Sequence, residues 1–405
     1  MPKSGLEDHL FRREHARIVA ALTRRFGLAL AEDVAQDAYC RALEVWRVHG
    51  LPDKPAAWLT TTAKRRAIDL VRRDATAQRL APELASETEH DLERELAEAF
   101  EPTAIRDEQL RMMFACCQPG LAQEVQVALV LHILCGFGAA EIAGAFLASR
   151  AAIEKRISRG KHELANHREA LELAAAEVPE RVATVQRALY LLFSEGYHGT
   201  SAVRAELCAE AIRLVVLLAE LPAAATSTTH ALAALMCLHA ARLPARVDAD
   251  GELNAFADQD RARWDQALVA GGLAHFERSA TGTTLTAYHV EAAIAAVHAS
   301  AASTDATDWA AIVALYDRLA QISPSPVVAL NRAIAIGKRD GAARGLAELH
   351  AITDRDRLAH YPFYAAALGE LEHELGHSEA ARGYFAAAHA LARNDAERRF
   401  LAKRM

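Results

Sequence analysis

Residues 53–79 read DKPAAWLTTTAKRRAIDLVRRDATAQR. Pro52 and Pro55 stop the preceding segment and suit a helix start, because proline lacks the amide hydrogen that a first turn leaves unpaired. Leu59, Ala63, Ala67 and Leu70 recur at the period of one helix face and predict a buried stripe, which leaves Lys64, Arg65, Arg72 and Arg73 mostly on the other faces. Between Thr60 and Arg79 six Lys or Arg stand against two Asp, a net charge of +4, in a chain whose formal net charge is -7. The positive charge is therefore placed rather than diffuse. Phosphate backbones attract such a cluster without regard to base sequence, and the indole of Trp58 offers a flat surface to an unstacked base. A solvated basic helix with a core Trp58 has the same pattern, so the stretch alone leaves both readings open.

The chain has 405 residues, 52% of them apolar and 24% charged. That is the profile of a soluble globular protein with room for two or three cores. Alanine is abundant and aromatics are only 6%, so helices should dominate. The start, MPKSGLEDHLFRREH, has no apolar run after its charges and predicts no secretory signal. Val127–Ala140 is the most apolar stretch, but it is shorter than the roughly 20 residues of a membrane span and contains His132. A cytoplasmic location without a membrane anchor is expected. The six cysteines, Cys40, Cys116, Cys117, Cys135, Cys208 and Cys237, form no CxxC pair and no regular spacing with histidine, so buried reduced thiols are expected and no metal site.

Phe11–Arg25 predicts a first amphipathic helix with Ile18 and Leu22 inward, ended by Gly27 in a left-handed cap. Ala31–Val48 predicts a second, with Val34, Ala38 and Ala42 in one stripe and Glu32, Asp33, Gln36 and Asp37 exposed. Acidic residues at a helix start are favoured by the macrodipole, and they also suit docking of a basic partner. Leu80–Gln109 then holds ten Asp or Glu against Arg94 and Arg106, net -8. Residues 80–106 read as an acidic linker.

Beyond it, Glu124–Leu134 is apolar at helical spacing, CGFG at 135–138 makes a tight turn, and Ala139–Phe146 predicts a short helix. Leu147 and Ala148 turn, and Ser149 is placed to cap a helix running to about Asn166. Ile153, Ile157 and Gly160 share its inner face, while Lys155, Arg156 and Arg159 project outward. This is the spacing of a helix-turn-helix, whose second helix reads the major groove near its amino end. A basic helical hairpin would look similar.

AEDVAQDAYCRALEVW (31–46) followed by PAAWLTTTAKRRAIDLVRR (55–73) resembles region 2 of the extracytoplasmic-function sigma factors of bacterial RNA polymerase. GFGAAEIAGAFLASRAAIEKRISRGKHELA (136–165) is similar to their region 4. The resemblance implies that Asp33, Gln36 and Asp37 dock on the clamp of core RNA polymerase. It implies that Trp58, Lys64, Arg65, Arg66, Arg72 and Arg73 melt and hold promoter DNA near -10, and that Ser149, Arg150, Lys155, Arg156 and Arg159 read the -35 element. Many members carry Asn where Arg65 stands. No catalytic residue and no cofactor is expected, since the polymerase performs the chemistry. The implied layout is region 2 over 1–79, the linker over 80–106 and region 4 over 107–173.

Residues 174–405 form a further helical domain. Val182–Phe193, Ala205–Leu221, His230–Arg242 and Asp308–Ala320 all show apolar residues three and four apart. The motif Ala-Ala-Arg-Gly recurs at Ala342–Gly345 and Ala380–Gly383, 38 residues on, and LGELEHELGHSEAARGYFAAA resembles a tetratricopeptide hairpin. A stack of such hairpins binds peptides or partner segments. One subgroup of these sigma factors carries a tetratricopeptide-like carboxyl domain, and the chain looks like a member. FSEGYHGTS (193–201) and RVDADGELNAFADQDRARWD (246–265) suggest turns, helix caps or a ligand contact rather than a calcium loop, whose spacing they lack. The expected fold is all-α throughout. The expected function is promoter-specific initiation controlled by the carboxyl domain. A helix-turn-helix repressor with a ligand-sensing domain, or a tetratricopeptide scaffold, would share many of these features.

Overall fold

A computed structural model of the protein describes residues 4–77, 94–118, 120–145, 148–166, 178–198, 204–246 and 253–405. Among the described residues the chain is helical, with no strand, as the sequence predicts. Its backbone divides into two units, Met1–Leu192 and Phe193–Met405.

In the first unit α1 (Ser4–Phe26), α2 (Leu28–His49) and α3 (Pro55–Ala77) pack on one another. The contact is built from small side chains: Ala31, Ala35, Ala38 and Ala42 of α2, and Ala63 and Ala67 of α3, are buried. Ile18 and Leu22 supply the bulk from α1, both fully buried, while Leu70 is only half-buried. Small residues at a helix contact let the axes approach closely. Gly27 turns the chain between α1 and α2 with φ 81° and ψ 162°. This is not the left-handed cap that the sequence suggests but the positive-φ extended region, which essentially only glycine populates.

The stretch expected to be an acidic linker is helical where it is described. Residues 94–99 are helical and α4 spans Pro102–Cys116. Leu96, apolar among charges, is 3% exposed, and Glu95 pairs with Arg25 at 3.2 Å. One anchored leucine and a compensating arginine dock a segment whose charge alone suggests a solvated tether. Residues 78–93, Arg79 among them, lie outside the described residues.

α5 (Gln123–Leu129) runs into a π-helical turn, Val130–Leu134, closed by the Cys135 amide donating to the Val130 carbonyl over 3.1 Å. Gly136, at φ 69°, then reverses the chain into α6 (Ala139–Ala145) and α7 (Arg150–Asn166). Phe146 and Leu147 of the expected turn lie outside the described residues. Ile153, Ile157 and Gly160 of α7 are buried, and a Cβ on Gly160 would come within 2.7 Å of the Leu129 side chain. The glycine lets α7 lie directly on α5.

The unit boundary falls inside α8 (Val178–His198). The second unit continues through α9 (Ala205–Glu220), α10 (Ser227–Ala240), α11 (Gln266–Ser279), α12 (Ala287–Ser300) and α13 (Trp309–Ile322). α10 reads STTHALAALMCLHA and is buried on nearly every face, as a helix apolar all round must be. Thr226 caps it, its hydroxyl accepting from the Thr229 amide at 3.1 Å. In the aspartate-rich stretch, Asp260 and Asp265 cap the helical turns that follow them, accepting from Ala262 and Leu268 amides at 3.0 Å each. Asp248, Asp250, Gly251 and Glu252 lie outside the described residues, as do Gly199, Thr200 and Ser201.

Two helical hairpins finish the chain: α14 (Pro326–Asp340) with α15 (Ala342–His350), and α16 (Pro362–Glu374) with α17 (Ser378–Ala390), followed by α18 (Asp395–Ala402). Each turns at a positive-φ glycine, Gly341 or Gly376. The repeated Ala-Ala-Arg-Gly does not mark equivalent places. Gly345 is buried, its absent Cβ only 2.7 Å from the Gly337 Cα, whereas Gly383 faces open space. Within the second copy of the motif the buried residue is Ala381, at 2% exposure.

Candidate nucleic-acid interface

A groove of about 1030 Å³ runs between α2 and α3, with Asp37, Arg41 and Glu44 on one wall and Trp58, Arg65 and Arg66 on the other. The walls are set by the small-residue stripes beneath them, which hold the two helices close and leave their longer residues to the rim. Asp33, Gln36 and Asp37 are all exposed along α2. Arg66 Nε donates to Asp37 Oδ2 at 2.6 Å, so residues expected in separate roles, polymerase docking and strand holding, meet across the groove.

Trp58 is half-buried and sets its ring edge-on to Trp46, centroids 5.4 Å apart at 62°. The Thr62 hydroxyl donates to the Trp58 carbonyl at 2.9 Å, and Thr61 does the same to Ala57 at 2.8 Å. These threonines thus satisfy themselves on their own helix. Lys64 turns away from the groove to lie 4.9 Å from the centroid of the Phe100 ring. Arg65 and Arg73 are exposed, and Arg72 stands 3.8 Å from Asp69, one turn back. The cationic side chains of α3 therefore divide: Arg65, Arg72 and Arg73 face solvent, while Lys64 and Arg66 are half-buried against partners.

On α7 the Ser149 hydroxyl accepts from the Ala152 amide at 3.2 Å, a helix cap, and Arg150 pairs with Glu154 at 2.7 Å. Lys155 and Arg159, one turn apart, are exposed, and Arg156 is half-buried. The residues expected to read DNA are thus brought to one helix, with the two at its amino end also serving local structure.

Three residues at the junction of these elements carry no signal in the local sequence. Lys161 of α7 donates to Glu32 of α2 at 2.7 Å and to His132 Nε2 at 3.0 Å. His132 Nδ1 is 2.9 Å from the Phe137 carbonyl, so Nδ1 carries the proton and Nε2 accepts. Burial, then the charge of Lys161, lowers the pKa of His132. His15 is pushed down to about 4 by burial, with His132 and Lys161 adding to the effect. Glu32, expected on the exposed acidic face, is instead turned inward to join α2 to α7. Its partner lies 129 residues away, beyond the reach of any local pattern.

All six cysteines are free thiols; five are buried, but Cys40 is exposed on the groove. Among the described residues no group of three or more His, Cys, Asp or Glu could hold a metal ion, and no helix is long and apolar enough to cross a membrane.

The chain is 38% identical over 406 aligned residues to an uncharacterized protein of Rhizobium meliloti (strain 1021), R00370, an alignment covering 99% of this chain and 95% of that one. Residues 181–280 match a family of unknown function, DUF6596. Residues 10–76, which contain α2, its groove and nearly all of α3, match Sigma-70 region 2. The chain belongs to the sigma-70 family. As a sigma-70 protein with a carboxyl-terminal extension it fits the extracytoplasmic-function-like type, and it carries a sigma factor's role in RNA polymerase binding and transcription initiation. The matched region of the sigma factor contains every residue expected to dock on polymerase or hold the -10 strand. No solved structure matches the chain.

Proposed function

We propose that the chain directs core RNA polymerase to specific promoters in the cytoplasm and that its carboxyl-terminal unit controls this step. Residues 1–79 dock through Asp33, Gln36 and Asp37 and hold the opened strand with Trp58, Lys64, Arg65, Arg66, Arg72 and Arg73. Residues 107–173 act as a helix-turn-helix region 4 that reads the -35 element through the exposed face of α7, with Ser149, Arg150, Lys155, Arg156 and Arg159. Residues 80–106 join the two, and residues 174–405, with their tetratricopeptide-like hairpins, regulate. The protein supplies binding and strand separation and leaves the chemistry to the polymerase.

The observation that carries this reading is the groove between α2 and α3, where Asp37 and Glu44 of one wall stand opposite Trp58, Arg65 and Arg66 of the other. An acidic wall suits a basic protein surface, and a cationic wall beside an indole suits a single strand. One element can then hold polymerase and promoter side by side. The test is transcription by purified core polymerase on a pooled promoter library, with the full chain and with a chain ending at Leu173. Promoter-specific transcripts that need the full chain support the reading and make the carboxyl unit an activator; transcripts only from the short chain make it an inhibitor. Sequence-specific duplex binding without any polymerase association would replace it with a repressor.

A further inference from the structure

The second unit contains a cavity of about 480 Å³, within the roughly 300–1,000 Å³ of small-molecule sites. One end is cationic. The Arg242 guanidinium lies 4.2 Å from the centroid of the Phe256 ring and 5.7 Å from that of Trp264. Its Nε donates to Gln259 at 3.2 Å, and among the described residues its terminal nitrogens have no acceptor. Arg246, one turn on, stacks on Tyr197 at 4.2 Å and donates to the Tyr197 carbonyl at 3.0 Å. Burial pulls Arg242 below the usual arginine range, and Arg246 and Arg261 add to this.

The lining also includes Ile334, Phe363 and Phe400, with Arg404 3.9 Å from the centroid of the Phe400 ring and Arg393 5.2 Å from that of Phe363. Its two carboxylates already have partners: Glu370 is bound by Arg404 at 3.0 Å, and Glu397 by Arg393 at 2.7 Å. Among the described residues Arg242 and Arg246 have no carboxylate within ion-pair distance, so the described lining carries surplus positive charge beside aromatic rings. Burying a cation in this way is costly unless something anionic completes it.

We propose that this cavity is a binding site for a small organic anion with a flat apolar body, its carboxylate or phosphate held by Arg242 and Arg246 and its body lying against Ile334, Phe363 and Phe400. Arginine's planar fork suits either anion. The volume admits a small molecule and not a folded partner. Such a site stands whether or not the second unit controls transcription.

The test is isothermal titration of the full chain with 2-naphthoate, phenyl phosphate and the neutral isostere 2-naphthamide. At least one anion should bind with Kd below about 1 mM and about tenfold or more tighter than the amide; which of the two wins separates a carboxylate ligand from a phosphate. Arg246→Gln should weaken that anion about tenfold with an unchanged far-ultraviolet circular dichroism melt, and Arg242→Lys should fall between the two. Equal binding of naphthoate and naphthamide, no anion bound below about 1 mM, or full affinity in a folded Arg246→Gln chain would overturn the site. If Arg246→Gln does not fold, the anion-against-amide comparison on the unaltered chain decides alone.

Discussion

Asp37 and Arg66 are bonded across 29 residues of sequence, Oδ2 to Nε at 2.6 Å, and their bond ties α2 to α3 across the groove. Both are partly exposed, at 50% and 32% of the side chain, so the pair should contribute under about 1 kcal/mol to stability. Asp37→Arg with Arg66→Asp should therefore retain the melting temperature within a few degrees while abolishing core polymerase binding, read by co-purification. Full binding by the swapped chain would show that the pair only joins α2 to α3 and that the Asp37 carboxylate is not a polymerase contact.

Glycine positions offer a sharper test of the packing. Gly345→Ala pushes a methyl to within 2.7 Å of the Gly337 Cα, a backbone atom that cannot step aside. Overpacking of this kind costs about 1–3 kcal/mol. Gly383→Ala meets nothing within 4 Å and should stabilise the chain by about 0.5–1 kcal/mol, the usual gain of alanine over glycine inside a helix. Urea denaturation of the two variants should give opposite signs.

Stability should fall in mild acid. His15 and His298 are held at about 4 instead of the ordinary 6.5, chiefly by burial, with His132 and Lys161 adding to the effect on His15 and Arg242 and Arg261 to that on His298. A depressed histidine pKa means that the unfolded chain takes up protons before the folded one does. The stabilisation is whole above pH 6.5 and is lost as pH falls toward 4, by about 3 kcal/mol at most for each of these two. His15 also stacks on Tyr39, ring centroids 5.9 Å apart. His15→Phe retains a ring there and removes the proton site, so the slope of stability against pH should become shallower. An unchanged slope would count against the assignment.

Cys40 provides a reporter for the groove. Burial pushes Cys117, Cys208 and Cys237 up to about 12, which leaves almost no thiolate on them at neutral pH. A brief maleimide treatment of the native chain should add one label, at Cys40, detected by mass spectrometry. A bulky label there should block promoter or polymerase binding, and Cys40→Ser should be resistant to the block. Labelling of several thiols at equal rates would instead indicate that the buried ones open readily.

Most of the fold class was legible because it is written in local periodicity. Leu59, Ala63 and Ala67 mark the buried face of α3 without help from any other residue, and Ser149 announces the start of α7 by its capping chemistry. The exposed candidates Asp33, Gln36, Arg65 and Arg159 were legible for the same reason: a helix period puts them opposite a buried stripe. Nothing near Lys64 in sequence reveals that Phe100 will lie beneath its ammonium group. Nor does the net charge of the acidic tract before α4 reveal that Leu96 docks it.

By itself, then, the sequence determined the helices, their buried faces and the placement of charge, because each depends on residues within one or two turns. Only the tertiary structure decided that Lys161 joins Glu32 to His132, that Arg66 meets Asp37, and that Arg242 and Arg246 close one end of a cavity. Those contacts depend on which helix lies on which, and that choice is made by interactions between residues far apart in the chain, which no local pattern encodes.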